Sequence, residues 1–404
     1  MRRTPTTRQA CIRAGCVIAL GHAAGLALAQ PQFDQCLAGL RELAVERGVG
    51  AATASRVLAD VQPLERVIAA DRSQPEFVDT FADYLGRRVT AERVMRGRKL
   101  LQEHRALLAR LRQQHGIPGQ YLLAFWALET NYGRFLGSVP IFDALATLAC
   151  DQRRSEYFST ELVNALHIAE RGDVEVSAMR GSWAGAMGHT QFMPSAYLDH
   201  AVDGDGDNRV DLWASVPDAL TSAATYLASL NWQTGMRWGR EVRLPQGFSY
   251  ALANSEERRP LSEWRELGVT DVFGAAVVDL EIDASLLLPS GRRGPAFLVY
   301  DNFRAIMRWN RSEYFALTVG HLADRIAGAG GLSVPPPEDL RVRREHVAAL
   351  QLALNARGHD SGAPDGRLGP LTRRAIRAFQ ESLGMAADGY PDAELLSVLG
   401  ITRD

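Results

Sequence analysis

The stretch that most constrains this chain is Ile117-Pro118-Gly119-Gln120-Tyr121-Leu122-Leu123-Ala124-Phe125-Trp126-Ala127-Leu128-Glu129-Thr130-Asn131-Tyr132-Gly133. Pro118 suits a first helical turn and Gly133 a helix end. The helix between them is apolar on nearly every face, so it belongs in a core, and it carries one carboxylate, Glu129, near its C-terminal end. Burial and the negative end of the helix dipole both disfavour ionisation, so the Glu129 carboxyl is expected to keep its proton near neutral pH. Such a group can donate to a glycosidic oxygen and then act as a base. The competing reading is a helix-end glutamate paired to an arginine such as Arg134.

A chain of 404 residues exceeds what one hydrophobic core usually serves, so two or three compact units are expected. A formal net charge of −2 gives no general electrostatic grip on nucleic acid. Residues 1–29 read as an export signal, with Arg2, Arg3, Arg8 and Arg13 ahead of an apolar stretch from Cys16 to Leu28 and Ala27-Leu28-Ala29 as the cleavage site. A buried N-terminal helix is the alternative. A membrane-spanning helix needs roughly 20 apolar residues, more than this run supplies. Arg13 also stands where a lipoprotein signal ending at Cys16 would carry a small aliphatic residue. A soluble periplasmic protein is therefore expected, with no transmembrane anchor after cleavage. Loss of the signal takes the formal charge from −2 to −6 and leaves two cysteines, Cys36 and Cys150. In an oxidising compartment they could pair, or they could be two buried free thiols.

Phe33 to about Leu111 shows helical spacing, as in Val94 to Leu111 with Leu100, Leu101, Leu107, Leu108 and Leu111. From about 232 to 300 short alternating runs such as Glu241-Val242-Arg243-Leu244 and Ala296-Phe297-Leu298-Val299-Tyr300 suggest a small β-containing insertion. Helical spacing resumes from Phe303 to about Ala327. Three glycines and Pro335-Pro336-Pro337 then mark a linker. The expected organisation is a signal at 1–29, a mainly α catalytic region at 30–328, a linker at 329–338 and a C-terminal unit at 339–404.

Two further clusters could carry function. Gly181-Ser182-Trp183-Ala184-Gly185-Ala186-Met187-Gly188-His189-Thr190-Gln191-Phe192-Met193-Pro194 combines backbone that can approach a ligand with apolar faces and the Gln191 amide, a mixture suited to a sugar ring. Its alternative is a turn that merely allows tight helix packing. Asp203-Gly204-Asp205-Gly206-Asp207-Asn208-Arg209-Val210-Asp211-Leu212-Trp213 spaces oxygens as an EF-hand loop does, with the Arg209 carbonyl next in order and Asn208 able to take the left-handed turn. Position twelve is Ala214, so a last ligand must come from elsewhere, most plausibly Asp218. The alternative is a solvated Asp/Gly turn.

Taken together, these motifs resemble the membrane-bound lytic transglycosylase B type, glycoside hydrolase family 103, with its lysozyme-like core. The resemblance rests on Glu129-Thr130-Asn131-Tyr132-Gly133-Arg134, Asp143-Ala144-Leu145-Ala146-Thr147-Leu148, Arg153-Arg154-Ser155-Glu156-Tyr157-Phe158, the glycine cluster, and Asn302 to Tyr314, in family order. It implies that Glu129 is the catalytic acid and base. It also implies a glycan groove lined by Ser182, Gly185, Met187, Gln191, Phe192, Tyr300, Asn302, Asn310 and Tyr314, with Trp309 standing where a tyrosine is expected. The implied reaction cleaves peptidoglycan strands between N-acetylmuramic acid and N-acetylglucosamine, leaves 1,6-anhydromuramyl ends and needs no cofactor. A structural calcium held by Asp203, Asp205, Asp207, Arg209 and Asp218 is a further implication. A lysozyme-like hydrolase would need a second carboxylate, for which Asp143, Glu156 and Glu161 are close along the chain. A non-catalytic wall-binding scaffold and a calcium-regulated binding protein are the readings outside glycan cleavage.

The C-terminal unit reads as three short helices, with Val347, Leu350, Leu352 and Leu354 in the first, Ile376, Phe379 and Leu383 in the second, and Leu395, Leu396 and Leu399 in the third. Asp365-Gly366-Arg367-Leu368-Gly369-Pro370-Leu371-Thr372 and Ala378-Phe379-Gln380 resemble the three-helix peptidoglycan-binding domain. In so small a unit most apolar residues must be core.

Overall fold

The apolar run folds into the helix Gly119–Thr130, with Pro118 at its N-cap and only Gln120, Leu128 and Glu129 less than fully enclosed. In this computed structural model, which describes residues 30–73, 79–278, 280–338 and 342–401, that helix packs between Ala91–Glu103 and Glu313–Ile326. Each large apolar side chain it buries stabilises the fold by about 1.5–3 kcal/mol, which is why a segment with no polar face lies at the centre. Residues 1–29, read from the sequence as an export signal, lie outside the described residues.

A second core forms where Ile141–Ala149 packs on Ser155–Arg171, covered by Gln30–Glu46 and Ala51–Val57. Cys36 and Cys150 form a disulfide, Cα atoms 6.0 Å apart, which ties the first helix to the end of Ile141–Ala149. Trp309 packs against both cores and so sits at their seam.

Capping chemistry breaks two stretches that spacing alone reads as continuous. Val94 to Leu111 spans two helices, Ala91–Glu103 and Arg105–His115, which part at His104. Phe303 to Ala327 likewise divides into Asp301–Trp309 and Glu313–Ile326. There Asn310 is extended and the Ser312 hydroxyl accepts from the Phe315 N–H at 3.3 Å to start the second helix.

The β-containing part is a five-stranded antiparallel sheet in the order Arg259–Pro260, Asp283–Leu287, Ala296–Val299, Gly239–Arg243, Thr270–Asp271. The two runs read from alternation are its central pair, in register Val242 to Ala296 and Glu241 to Phe297.

The C-terminal helices are Arg344–Asn355, Pro370–Ser382 and Ala393–Val398. Leu350, Leu354, Ile376 and Leu395 fill their core, whereas Leu352 and Leu383 are 58% and 47% exposed, Leu352 because it lies off the buried face of its helix and Leu383 because it is the C-cap, past the last helical turn. Two buried glutamines pin two Asp-Gly turns in the same way. Gln351 donates to Asp365 Oδ1 at 3.0 Å and accepts from the Gly366 N–H at 2.9 Å. Gln380 donates to Asp388 Oδ1 at 2.9 Å and accepts from the Gly389 N–H at 2.9 Å. The second turn also touches the catalytic region, where the Arg292 N–H donates to Asp388 Oδ2 at 2.9 Å.

Candidate active site

Glu129 stands half-buried in the last turn of Gly119–Thr130. The helix ends at Thr130, earlier than Gly133 suggests, because Asn131, Tyr132 and Gly133 all adopt positive φ, at 51°, 60° and 81°. Two of these are not glycine, and side-chain bonds hold them there. Arg93 Nε donates to Asn131 Oδ1 at 3.3 Å, and the Tyr132 hydroxyl donates to the Arg93 carbonyl at 2.8 Å. Gly133 lies so close to the His189 ring that an added Cβ would overlap it.

The same turn is fastened to the glycine cluster. The Thr130 hydroxyl donates to the His189 carbonyl at 3.0 Å, and the Trp126 indole donates to His189 Nδ1 at 2.9 Å. Burial lowers the His189 pKa, and a ring nitrogen that accepts a bond agrees with a neutral imidazole. Arg134, the alternative partner for Glu129, instead pairs with Glu92 at 3.0 Å. Trp309 Nε1 donates to Glu129 Oε1 at 3.1 Å. Its ring is backed by Phe125, Tyr226 and Phe192 at centroid distances of 4.5, 4.9 and 5.5 Å.

Glu129 opens on a cleft of about 1060 Å³. Of the expected glycan-facing residues, Asn310 and Tyr314 line it with Glu129. Burial pushes the Tyr314 hydroxyl pKa up, and the adjacent Arg373 opposes that shift. The others are placed differently. Met187 and Phe192 are 0% and 2% exposed and belong to the second core, where Phe192 supports Trp309 from behind. Tyr300 is buried in the core of the sheet region. Asn302, fully enclosed, accepts from the Gln233 N–H at 2.6 Å and donates to the carbonyls of Gln233 and Met236. In these four the side chain is spent on packing or on satisfying buried backbone, a use that motif composition does not reveal.

The glycine cluster itself is a tight hairpin-like loop. Ser182 Oγ accepts from the N–H groups of Ala184 and Ala186, Gly185 has φ +88°, and Gln191 has φ 49°. Gln191 Nε2 donates to the carbonyls of Leu136 and Gly188 at 3.1 and 2.9 Å, which commits its two amide hydrogens to backbone.

In the acidic loop, carboxylate oxygens of Asp203, Asp205 and Asp218 lie within 4.8 Å of one another. Asp218, contributed by the helix Val216–Ser229, takes the place proposed for the missing twelfth ligand. Asn208 has φ 65°, the left-handed turn expected of it. Asp207 is not drawn into this group and accepts from the Arg209 N–H at 2.8 Å, while the Arg209 guanidinium reaches the Asp173 carbonyl.

The sequence matches the Transglycosylase SLT domain over residues 32–324, most of the chain and all of the site just described. The chain belongs to that family. Residues 343–399 match the Putative peptidoglycan binding domain. The fold is similar to that of SltB3 from Pseudomonas aeruginosa in complex with NAG-anhNAM-pentapeptide, with a TM-score of 0.88 and 44% identity over 91% of this chain and 99% of that one. Escherichia coli Slt35 in complex with calcium is similar at a TM-score of 0.63 and 29% identity, over 74% of this chain and 93% of that one. Membrane-bound lytic murein transglycosylase B of Escherichia coli is 34% identical over 252 residues, 59% of this chain and 65% of that protein. The chain thus spans about two thirds of that relative's length.

Within this SLT-domain transglycosylase the cleft has contributors that motif reading did not single out. Thr80, Tyr84 and Arg88 come from the helix Phe81–Arg88 and its cap, and Arg373, Arg377 and Tyr390 from the C-terminal unit. One signal was present in the sequence: arginines four residues apart on one short helix, more charge than a packing helix needs.

Proposed function

We propose that this chain is a lytic transglycosylase that cuts the β-1,4 bond between N-acetylmuramic acid and N-acetylglucosamine in peptidoglycan and leaves 1,6-anhydromuramyl ends. The observation that carries this reading is Glu129, fixed at the end of a buried helix, bonded to the Trp309 indole and open to a cleft large enough for a glycan. Glu129 gives its proton to the leaving glycosidic oxygen as the C1–O bond breaks. It then takes the proton of the muramyl 6-hydroxyl as that oxygen bonds to C1, so no water is consumed. The NAG-anhNAM-pentapeptide bound to the similar SltB3 supports the anhydro product. Asn310 and Tyr314, which line the cleft with Glu129, would hold the strand, with Ser182 and Gln191 of the glycine cluster as further candidates, while Gly185 is buried against Leu145.

A retaining or inverting hydrolase would use a second carboxylate across the bond. None of Asp143, Glu156 and Glu161 lines the cleft, and Glu161 is buried, accepting from the Ser195 N–H and hydroxyl. The carboxylates that do line it, Asp79, Glu256, Glu313 and Asp388, keep hydrolysis as the competing outcome.

Export to the periplasm is supported by the basic and apolar start of the sequence. Among the described residues no helix is long and apolar enough to cross a membrane. The C-terminal unit would hold the enzyme at the wall and raise the local concentration of substrate. Asp203, Asp205 and Asp218 offer the hard oxygen donors that suit calcium, with Asp207 and the Arg209 carbonyl as the further candidates. Calcium would brace the loop beside the glycine cluster and take no part in bond cleavage.

Mass spectrometry of soluble products from purified peptidoglycan tests the reading. Anhydromuropeptides from the native chain and none from Glu129→Gln are expected. Reducing ends would make the enzyme a hydrolase, and products undiminished in Glu129→Gln would remove Glu129 from the chemistry.

A further inference from the structure

The helix Pro370–Ser382 of the C-terminal unit turns Arg373 and Arg377 toward the cleft that holds Glu129. They are one turn apart, so two guanidinium groups share one face, an arrangement of like charges that disfavours the helix on its own. Both are half-buried, and neither enters an ion pair among the described residues. Burial and the neighbouring arginines disfavour the charge on Arg377, and Glu313 and Asp388 offset this only in part.

The groups facing Arg377 are Arg373 and Arg374 on its own helix, and Glu313 and Asp388 across from it. Asp388 is already committed, since its two oxygens accept from Gln380, Tyr390 and Arg292. Glu313 is the other carboxylate facing Arg377. Arg373 stands beside the Tyr314 hydroxyl, which donates to the Pro289 carbonyl at 3.3 Å. A cationic pair facing into an open cleft, short of compensating charge, is built for an anion. Planar guanidinium forks match carboxylates two hydrogen bonds at a time.

In a peptide-bearing glycan strand the sugars are neutral once the lactyl group is amide-linked, so the carboxylates belong to the peptide. A pentapeptide fully extended reaches roughly 16 Å. Glu129, Arg373 and Arg377 line that one cleft. We propose that Arg373 and Arg377 form a carboxylate-binding site for the stem peptide of the substrate, so that the C-terminal unit reads the peptide while Glu129 engages the sugar. This rests on the peptidoglycan reading above and extends it to a named recognition element.

The test is calorimetric titration of the full mature chain carrying Glu129→Gln, which separates binding from turnover. The ligands are a disaccharide pentapeptide, the same molecule with its carboxylates amidated, and inorganic phosphate as a generic anion. Amidation should weaken binding roughly ten- to hundredfold, the range expected for hydrogen bonds to charged groups. With Arg373→Gln and Arg377→Gln added, the carboxylated ligand should bind no better than the amidated one. Lysine at both positions should restore part of the difference, and unchanged thermal melts would confirm that all variants fold.

A preference for the carboxylated ligand that survives the double glutamine change overturns the proposal. So does equal weakening of both ligands, or phosphate competing as well as the peptide. The transglycosylase reading fails on a different measurement, the absence of anhydro products from the native chain, so the two failures are distinguishable.

Discussion

Trp309 and Glu129, 180 residues apart in sequence, meet through an indole N–H donated to Oε1 at 3.1 Å. The bond fixes one carboxyl oxygen of the residue that opens on the cleft. Trp309→Phe should remove the donation while keeping most of the ring packing against Phe125 and Tyr226. Loss of one such hydrogen bond predicts a fall in turnover of roughly tenfold, with little change in strand binding. Single-turnover rates alongside binding to a Glu129→Gln background would show it, and an unchanged rate would mean the contact has no role in chemistry.

Calcium should raise the melting temperature of the native chain, and Asp218→Ala should abolish the increase. At a hundredfold excess over its dissociation constant an ion stabilises the folded state by about 2.7 kcal/mol. Calorimetry with calcium and with chelator makes the comparison. Equal melts for the native chain in both would rule out the site, and a chelator that stopped cleavage well below the melt would give the ion more than a bracing role.

The Cys36–Cys150 disulfide closes a loop of 114 residues, so its main effect should be to restrict the unfolded chain. Cys36→Ser with Cys150→Ser is expected to cost up to about 5 kcal/mol by the loop-entropy argument. Denaturant unfolding with and without reductant measures this, and reductant should have no effect on the double variant.

Burial and the Arg325 guanidinium hold the His321 imidazole down at about 4. Its value in the unfolded chain is about 6.5, so the folded state binds fewer protons between the two. The stability this represents is fully present above the unfolded value and is lost as pH falls through about 4. The total is about 3 kcal/mol at most. His321→Leu should therefore flatten the loss of stability over that acidic window. Denaturant midpoints at several pH values would reveal it, and parallel profiles for the two proteins would count against the mechanism.

Much of this was legible in order along the chain. An apolar segment with one carboxylate, framed by Pro118 and Gly133 and longer than a usual strand, fits a buried helix with Glu129 at its end, since a helix pairs its own backbone groups away from water. Alternation marked the central strand pair, and the left-handed turn at Asn208 and the approach of Asp218 to Asp203 and Asp205 follow the loop spacing. Helix boundaries were less legible, since single caps such as Ser312 set them and periodicity runs straight through.

Sequence by itself determined which segments are helical, that Glu129 is the isolated carboxyl in an apolar helix, and that a separate three-helix unit follows a proline linker. Only tertiary structure decided which side chains face the cleft. Met187, Phe192, Tyr300 and Asn302 have the composition of a sugar site, yet they are enclosed, while Trp309, Arg373 and Arg377 are brought to the Glu129 cleft from distant segments. The reason is physical. Local sequence fixes backbone preference and the apolar stripe, but the direction in which a polar or aromatic group faces depends on what packs against its other side, and those partners lie tens to hundreds of residues away.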